Sequence, residues 1–599
     1  MTATVPGPDV AERDLLRRVL DALLREDHLG LASTGALVRD PALPADQTWW
    51  RAPLRDGRRV ALPVRPDGFL AEHAVAAPML VLDGPDAAAG PAVVDTMAGA
   101  LAALAPDDAE ARAGWADFTE ECAQALATAR LHERAGPRLR ARLAGEAPVA
   151  GFAGLLRHEA LAALRDHPVH PTGRCRWGLS EAELRRYAPE FRPSFPLRWA
   201  IVPRARLRLS PAFEAAGPPR WWPYPSQLGA EPGADRDHLA VPVHPLTADR
   251  GIPGLVAATG PAVTPTLSTR TVALDAEPGV HLKLPLPTAT LGRRNRRTIA
   301  PGTLADGDTV HRLLAAVLRR EPRLRRRILL ADESQWLDSP DELLAVLVRR
   351  YPAELTGDTL VPVAALLAAD PHHPGSTLLD KLAARHTGAD PVLWFDAYFS
   401  ALLDWHLALW LRYGIALEAH QQNIVIATRD GEPDWLRLVY KDDDGARIDC
   451  ARLAAVLGPD APLPVEPAAF HDRRIAVSDP AELADLVVTI TLHLCVGALV
   501  VEHAGADTHR RARLFALAGT RIEEAALRWC DPGDPGSVAA AGLLRRHVLE
   551  ADRWPIKAMV TAGTLLPKHR LGCADVNKHY RRSGPNYLRT GRRTERSAP

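Results

Sequence analysis

Hydrophobic positions change their spacing twice along the chain. From residue 10 to about 145, Ala and Leu recur at helical spacing, interrupted by the strand-like run Arg59-Val-Ala-Leu-Pro-Val-Arg65 and by Pro and Gly between 84 and 91. This predicts a mainly helical N-terminal domain with a small sheet. From about 150 to 350, short β-type runs (Trp199-Ala-Ile-Val202, Leu239-Ala-Val-Pro-Val243, Val280-His-Leu-Lys-Leu284) alternate with loops rich in Pro and Arg, which predicts a domain built around an antiparallel sheet. The third texture opens with a helix from Trp394 to Tyr413. Phe395, Tyr398, Phe399, Leu402, His406, Leu409 and Tyr413 share one face of it, and Gly414 is placed to cap it. The rest is helical to Arg570 apart from one hairpin. The expected fold is α+β, with domains at 1–148, 149–390 and 391–588 and a disordered polar tail at 589–599.

That hairpin carries the densest chemistry. Glu418-Ala-His420-Gln-Gln422-Asn423 leads into the apolar strand Ile424-Val-Ile-Ala427. Turn residues Arg429-Asp-Gly-Glu-Pro433 follow, and Leu436, Leu438 and Tyr440 alternate on the return to Lys441-Asp442-Asp-Asp444-Gly445. Pairing of the two strands brings Asn423 beside Asp442. An amide oxygen and carboxylates are hard oxygen donors suited to Mg²⁺, the ion that neutralises phosphate oxygens in nucleotide enzymes. Read alone, Asp-Asp-Asp-Gly is equally a solvated turn and His420 a satisfied core histidine.

Charge and cysteine content narrow the classes. Lys plus Arg and Asp plus Glu both number 73 in the 599 residues, so no global basic field points to nucleic acid as a partner. The six cysteines form no Cys-x-x-Cys pair, which argues against a zinc ribbon or a secreted disulfide framework and fits a reducing cytoplasm. Asp9, Glu12, Arg13 and Asp14 interrupt any signal-peptide core. The apolar run Leu486 to Val501 is short for a bilayer and follows the helix-start signal Ser478-Asp-Pro480. It is therefore expected to be a buried helix, with no membrane as partner.

Three further motifs bear on function. In His167-Pro-Val-His170-Pro-Thr-Gly-Arg174-Cys-Arg176, the prolines preclude a helix and present His170, Arg174 and Arg176 on a rigid loop suited to an anion. His-x-x-His also permits zinc, but no Cys or acidic partner lies nearby to complete four ligands, and a purely structural Pro-rich turn is the larger competing reading. Ser268-Thr-Arg270-Thr271 in isolation reads first as a surface strand pair with ordinary polar residues; with Lys283 in the next strand run and the acidic hairpin facing it, it offers a hydroxyl, a guanidinium fork and an ammonium for a polyphosphate. The basic runs Arg293-Arg-Asn-Arg-Arg297, Arg323-Leu-Arg-Arg-Arg327 and Arg349-Arg350 lack interleaved aromatics for base stacking. They read as a solvated or salt-bridged face, with one or two arginines left for a carboxylate.

Taken in order, the His-Pro-x-His-Pro loop, Ser-x-Arg-Thr, the strand Lys, Glu-x-His-x-Gln-Asn, a basic-Asp-x-x-Gly element and Trp554-Pro-Ile-Lys557 resemble the aerobactin-synthetase (IucA/IucC) family of siderophore synthetases over residues 150 to 570. The resemblance implies a hand-like fold of thumb, fingers and palm, a homodimer, and an ATP- and Mg²⁺-dependent ligase. Such an enzyme adenylates a carboxyl of citrate or a related acid, then passes the acyl group to a polyamine, a hydroxylated amine or a hydroxyl. It implies ATP contacts from Ser268, Arg270, Thr271, Lys283, His420, Gln422, Asn423 and Asp442, and metal contacts from Asn423, Asp442 and Asp444. His170, Arg174, Arg297, Arg349 and Glu418 fall on the acid side, and His170, Lys283, Glu418 and His420 on the catalytic side. The sequence departs from the family pattern in three places. Arg174 stands for a Lys, Lys441 for an Arg, and Asn295 occupies the offset of a substrate-side Arg, flanked by Arg294, Arg296 and Arg297; Arg297 is taken.

Two other classes are compatible with parts of this pattern. A phosphotransferase also places an Asn before an acidic metal ligand, but it requires a Gly-rich loop that is absent around Lys283. A nucleic-acid binder would rest on the Arg runs alone.

Overall fold

Three large sheets organise the chain in the computed structural model, which describes residues 7–44, 46–84, 90–571 and 579–589. The first is six-stranded and antiparallel, built on Thr48–Pro53, Arg59–Pro66 and Leu80–Asp83 with short strands around them. It is larger than the small sheet expected. Its flanking strands are only three to six residues long, too short to show a period in an Ala- and Pro-rich sequence. Arg59–Pro66 is buried on both faces: Val60, Leu62 and Val64 pack under the helices, while Ala61 packs with Trp49 and Val81. Helices Val10–Arg25 and Ala109–Gly145 complete this region.

The second sheet has eight strands, and every pairing is antiparallel, as expected. Its centre matters for the site. Thr271–Leu274 pairs with Val280–Lys283 so that Thr271 lies opposite Lys283, and Val280–Lys283 pairs in turn with Val346–Arg350, setting His281 opposite Arg349. The third sheet contains the predicted hairpin, Ile424–Thr428 with Leu436–Tyr440, in the register Ile424 opposite Tyr440. The hairpin does not stand alone. Thr359–Pro362 adds antiparallel to one side and Ile328–Leu330 parallel to the other, so two strands that precede residue 390 share its sheet.

Two buried helices support the hairpin from behind. Pro391–Tyr413 is N-capped by the Asp390 side chain and ends at Gly414, which adopts φ 68° as the left-handed C-cap. Its core-facing side is wider than one stripe, since Trp405, Leu407, Ala408, Trp410 and Leu411 are buried as well. The apolar helix Ala481–Ala504 is long and apolar enough to cross a membrane by length and composition, yet 89% of its most hydrophobic window is buried inside the protein. Tyr398 donates to the Cys495 carbonyl at 3.0 Å and joins the two helices. From Val487 to Gly497 the second helix widens to π geometry, a local distortion common beside functional sites.

The five cysteines described are free thiols; Cys573 lies outside the described residues. Arg589, the first residue of the expected tail, sits in a helical turn and donates to the Glu550 carbonyl at 2.7 Å; the rest of that tail, 590–599, lies outside the described residues.

Candidate active site

The eight-stranded sheet and the hairpin meet at a charged seam. Lys283 Nζ donates to Asp442 Oδ1 and, at 2.9 Å, to Asp444 Oδ2. Asp442 follows the last strand residues of the hairpin with φ 67°, a left-handed conformation that costs free energy outside glycine. Its N–H donates to Glu333 Oε1 at 2.8 Å, which holds it there. The same Glu333 oxygen accepts from Arg349 Nε at 2.5 Å, and Arg349 Nη2 lies 3.4 Å from Asp442 Oδ1. Burial pushes the Asp442 carboxyl up, but the adjacent Lys283, Arg349 and Arg270 outweigh it and hold the group far below the usual carboxylate range.

Arg349, expected on the acid side, lines the cleft but is buried, with Glu333 and Asp442 as its carboxylate partners. Lys283 is 3% exposed and reaches the cleft through the two aspartates rather than forming its wall.

Above the seam is a cavity of about 370 Å³. Ser268, Arg270 and Thr271 line one side; Asn423, Asp442 and Asp444 line the other. Arg270 Nη1 donates to the Thr298 carbonyl at 2.9 Å and to the Arg297 carbonyl at 3.3 Å, and Arg297 also faces the cavity. Among the described residues neither guanidinium touches a carboxylate, and the buried Nε of each has no hydrogen-bond partner. Burial, with Arg270 beside it, pushes the Arg297 guanidinium down to about 9. Two cations held together with no carboxylate in direct contact, and Asp442 and Asp444 only across the cavity, disfavour their own charge and favour an incoming anion. Of the three arginines near the family offset, Arg296 instead points outward to Glu342 at 2.9 Å.

Asp442 and Asp444 converge on a single ammonium, so they already hold one positive charge between them, and Asn423 lines the same cavity. No cluster of three His, Cys, Asp or Glu side chains that could hold a metal occurs among the described residues. Two carboxylates and an amide oxygen nonetheless fit Mg²⁺, which is typically held by one or two carboxylates plus substrate phosphates.

Further along, Glu418 Oε1 accepts from Lys557 Nζ at 2.9 Å. Burial raises the Glu418 carboxyl, but Lys557 more than reverses this and leaves it below its ordinary value. His420 and Gln422 line the cavity between this pair and Asn423. His420 Nδ1 accepts from the Gln422 N–H at 3.3 Å. Burial pushes its imidazole below the ordinary 6.5 against the pull of Glu418 and Asp442, so the ring is neutral at pH 7.

The Pro-rich loop is rigid and non-helical, as predicted, but it turns the other histidine to the cleft. His170 is buried behind the loop, its Nδ1 accepting from the Thr172 N–H at 3.3 Å. The Thr172 hydroxyl lies 3.1 Å from the same nitrogen and donates to Glu121 at 2.5 Å. His170 does not line the cavity; His167 does. The reason lies far off in sequence: Arg18 gathers the carbonyls of His167 and His170 at 2.7 and 2.8 Å, which turns the loop inward at 170. Arg174 lines the cavity, donating to the Leu164 carbonyl at 3.3 Å with Asp166 at 3.7 Å, and Arg176 is clamped by Glu190 at 2.8 Å.

Sequence reasoning missed His167, Glu333 and the role of Lys557. For His167 the motif gave two equivalent candidates. Glu333 sits in a strand with no motif around it, and only the pairing of its neighbours reveals it. The basic runs are partly engaged: Arg293 stacks on Trp177 at 4.4 Å, while Arg323 and Arg326 lie 3.8 Å from Asp404 and Asp434.

Residues 155–368 match the model of the IucA / IucC family, and residues 392–572 match a model described as ferric iron reductase FhuF-like transporter. The chain is 28% identical over 317 residues to the rhizobactin siderophore biosynthesis protein RhbC of Rhizobium meliloti, covering 47% of this chain and 52% of that protein. It is 27% identical over 292 residues to the L-2,3-diaminopropanoate–citrate ligase of Staphylococcus aureus, covering 45% and 50%. The chain thus spans about half the length of the curated relatives it matches. Over its full fold it is similar to the petrobactin biosynthesis protein AsbB of Bacillus anthracis (TM-score 0.72, 16% identity, 98% and 96% covered). It is also similar to ATP-bound aerobactin synthetase IucA of Klebsiella pneumoniae (TM-score 0.68, 18% identity, 96% and 99% covered). The matched IucA / IucC model runs across the strands that carry Lys283 and Arg349 and the loop that carries Arg270, and the relatives include a siderophore biosynthesis protein and a citrate ligase.

Proposed function

We propose that the protein is a cytoplasmic, homodimeric siderophore synthetase with a thumb, fingers and palm layout. In this reading it uses ATP to adenylate a carboxyl of citrate or a related acid, then joins the acyl group to an amine or hydroxyl. The observation that carries this is the pair Arg270 and Arg297, cationic and without carboxylate partners, facing Asp442 and Asp444 across one cavity. One wall attracts anions and the other attracts a cation, as two anionic substrates and a divalent ion require. The names of the relatives, which include ligases for citrate with diaminopropanoate, ornithine and spermidine, support the substrate class.

Mg²⁺, held by Asn423, Asp442 and Asp444, would neutralise phosphate charge. Ser268, Thr271 and Arg270 would hold the phosphates from the opposite wall, and Lys283 would move its ammonium from the aspartates toward them. Arg297 and Arg174 would orient the acid so that its carboxylate reaches the α-phosphorus despite like charge. For acyl transfer, neutral His420 is available as a proton acceptor, with Glu418 held ionised by Lys557 alongside.

An ATP/pyrophosphate exchange screen over citrate, 2-oxoglutarate and succinate tests the first half-reaction. Mass analysis with candidate polyamines and hydroxylated amines tests the second. Acid-dependent exchange supports the reading; release of ADP without AMP in every mixture removes it.

A further inference from the structure

Both walls of the cleft are joined by one buried carboxylate that the proposed chemistry does not use. Glu159, 1% exposed, lies on the helix Gly151–Ala163. Its Oε2 accepts from the Leu267 N–H at 3.0 Å, and its Oε1 lies 3.4 Å from Lys441 Nζ. Leu267 immediately precedes Ser268, and Lys441 immediately precedes Asp442. Burial alone would lower the Lys441 ammonium, but Tyr351 and Glu159 beside it leave it raised.

The helix that presents Glu159 is itself fixed to the hairpin sheet. The Gly151 N–H donates to the Asp358 carbonyl at 2.8 Å, His158 Nδ1 meets the Leu360 carbonyl at 2.7 Å, and Leu155 packs with Val425, Ala427 and Val439. The loop it holds is a tight one. Thr266 N–H donates to the Thr271 carbonyl at 2.9 Å, and Thr269 takes φ 63°. Strained backbone persists only while its surroundings fix it, and the bond from Leu267 to Glu159 is one of those anchors.

We propose that Glu159 is a positioning residue that fixes the separation between the Ser268–Thr271 wall and the Asp442–Asp444 wall, and hence the fit of a nucleotide triphosphate between them. The nucleotide part rests on the function proposed above. Loss of the carboxylate leaves a buried N–H unsatisfied at one wall and a buried ammonium uncompensated at the other. Glu159→Gln keeps an acceptor for Leu267 and removes only the charge facing Lys441.

The test compares wild type, Glu159→Gln and Glu159→Ala by MgATP binding, by exchange kinetics and by amide hydrogen exchange over residues 265–272. The expected result for Glu159→Gln is a KM for ATP raised about tenfold with kcat and the KM for the acid within about twofold. Glu159→Ala should show a larger rise and faster amide exchange over 265–272, with the helix 151–163 still protected. A purely structural role would instead lower Tm and the active fraction while leaving both KM values in place, which overturns the proposal. If wild type binds no MgATP, the proposed function fails by itself. Amide exchange then decides: unchanged protection of 265–272 in Glu159→Ala overturns the role of Glu159, and selective loss there sustains it.

Discussion

The Lys283 ammonium sits directly against the Asp442 carboxylate, joining a central strand of the eight-stranded sheet to the end of the hairpin. The contact makes two sheets one site. It also sets a cation directly behind the aspartates that line the cleft, and it keeps Asp442 ionised despite burial.

Asp442→Asn and Lys283→Ala should each lower exchange by about 100-fold or more, the range for loss of one preorganised charge at a reacting phosphate. Circular dichroism should show folded protein in both cases. Exchange retained at wild-type rate in either variant would remove that residue from the chemistry.

The depressed Asp442 and Glu418 carboxyls make a signed prediction about pH. Each binds its proton less readily folded than unfolded, so its contribution to stability is complete above the ordinary carboxylate value and is lost as pH falls through the folded one. Wild-type Tm should therefore decline below about pH 4. Lys557→Met removes the main influence that holds the Glu418 carboxyl down and leaves burial to raise it, so the variant should be less stable at neutral pH and its Tm should fall less on acidification than that of wild type, read from thermal melts across pH 3 to pH 7.

Glu333 supports Arg349 and the Asp442 N–H together. Glu333→Ala strands a buried guanidinium and should cost about 3–5 kcal/mol in urea unfolding. Glu333→Ala with Arg349→Met should recover part of this, giving a positive coupling in a double-mutant cycle. Additive losses would mean that the two side chains do not act as a pair.

Arg297 is held against its own preference, so Arg297→Gln should leave apo Tm unchanged or raised by about 1–2 °C while weakening anion binding. Calorimetry with citrate and with MgATP checks both. A drop in Tm with unaltered binding would assign Arg297 to the structure instead.

The two histidines of the Pro-rich loop should separate cleanly. His170→Ala should lower Tm through the Thr172 and Glu121 contacts while KM values stay within about twofold, whereas His167→Ala should alter KM with less effect on Tm. The reverse pattern would restore His170 to the cleft.

These contrasts mark what was legible in the sequence. The hairpin could be read because Ile424 to Ala427 and Leu436 to Tyr440 carry strand periodicity on either side of strong turn chemistry, and the long helix because Trp394 to Tyr413 is continuously apolar at helical spacing. Arg349 looked like a free cation because its counter-charge, Glu333, lies on a neighbouring strand whose pairing no local pattern encodes. His167 and His170 differ only in which way a proline-stiffened loop turns, and that is decided by Arg18, about 150 residues away. Glu159 was silent for the same reason: its meaning lies in joining Leu267 to Lys441.

The most direct test of the central claim is ATP/pyrophosphate exchange by the wild-type protein with Mg²⁺ and a citrate-type acid. The account predicts exchange that requires both the acid and the metal and that disappears in Asp442→Asn. ADP formation without pyrophosphate, or exchange indifferent to every carboxylic acid supplied, would contradict it.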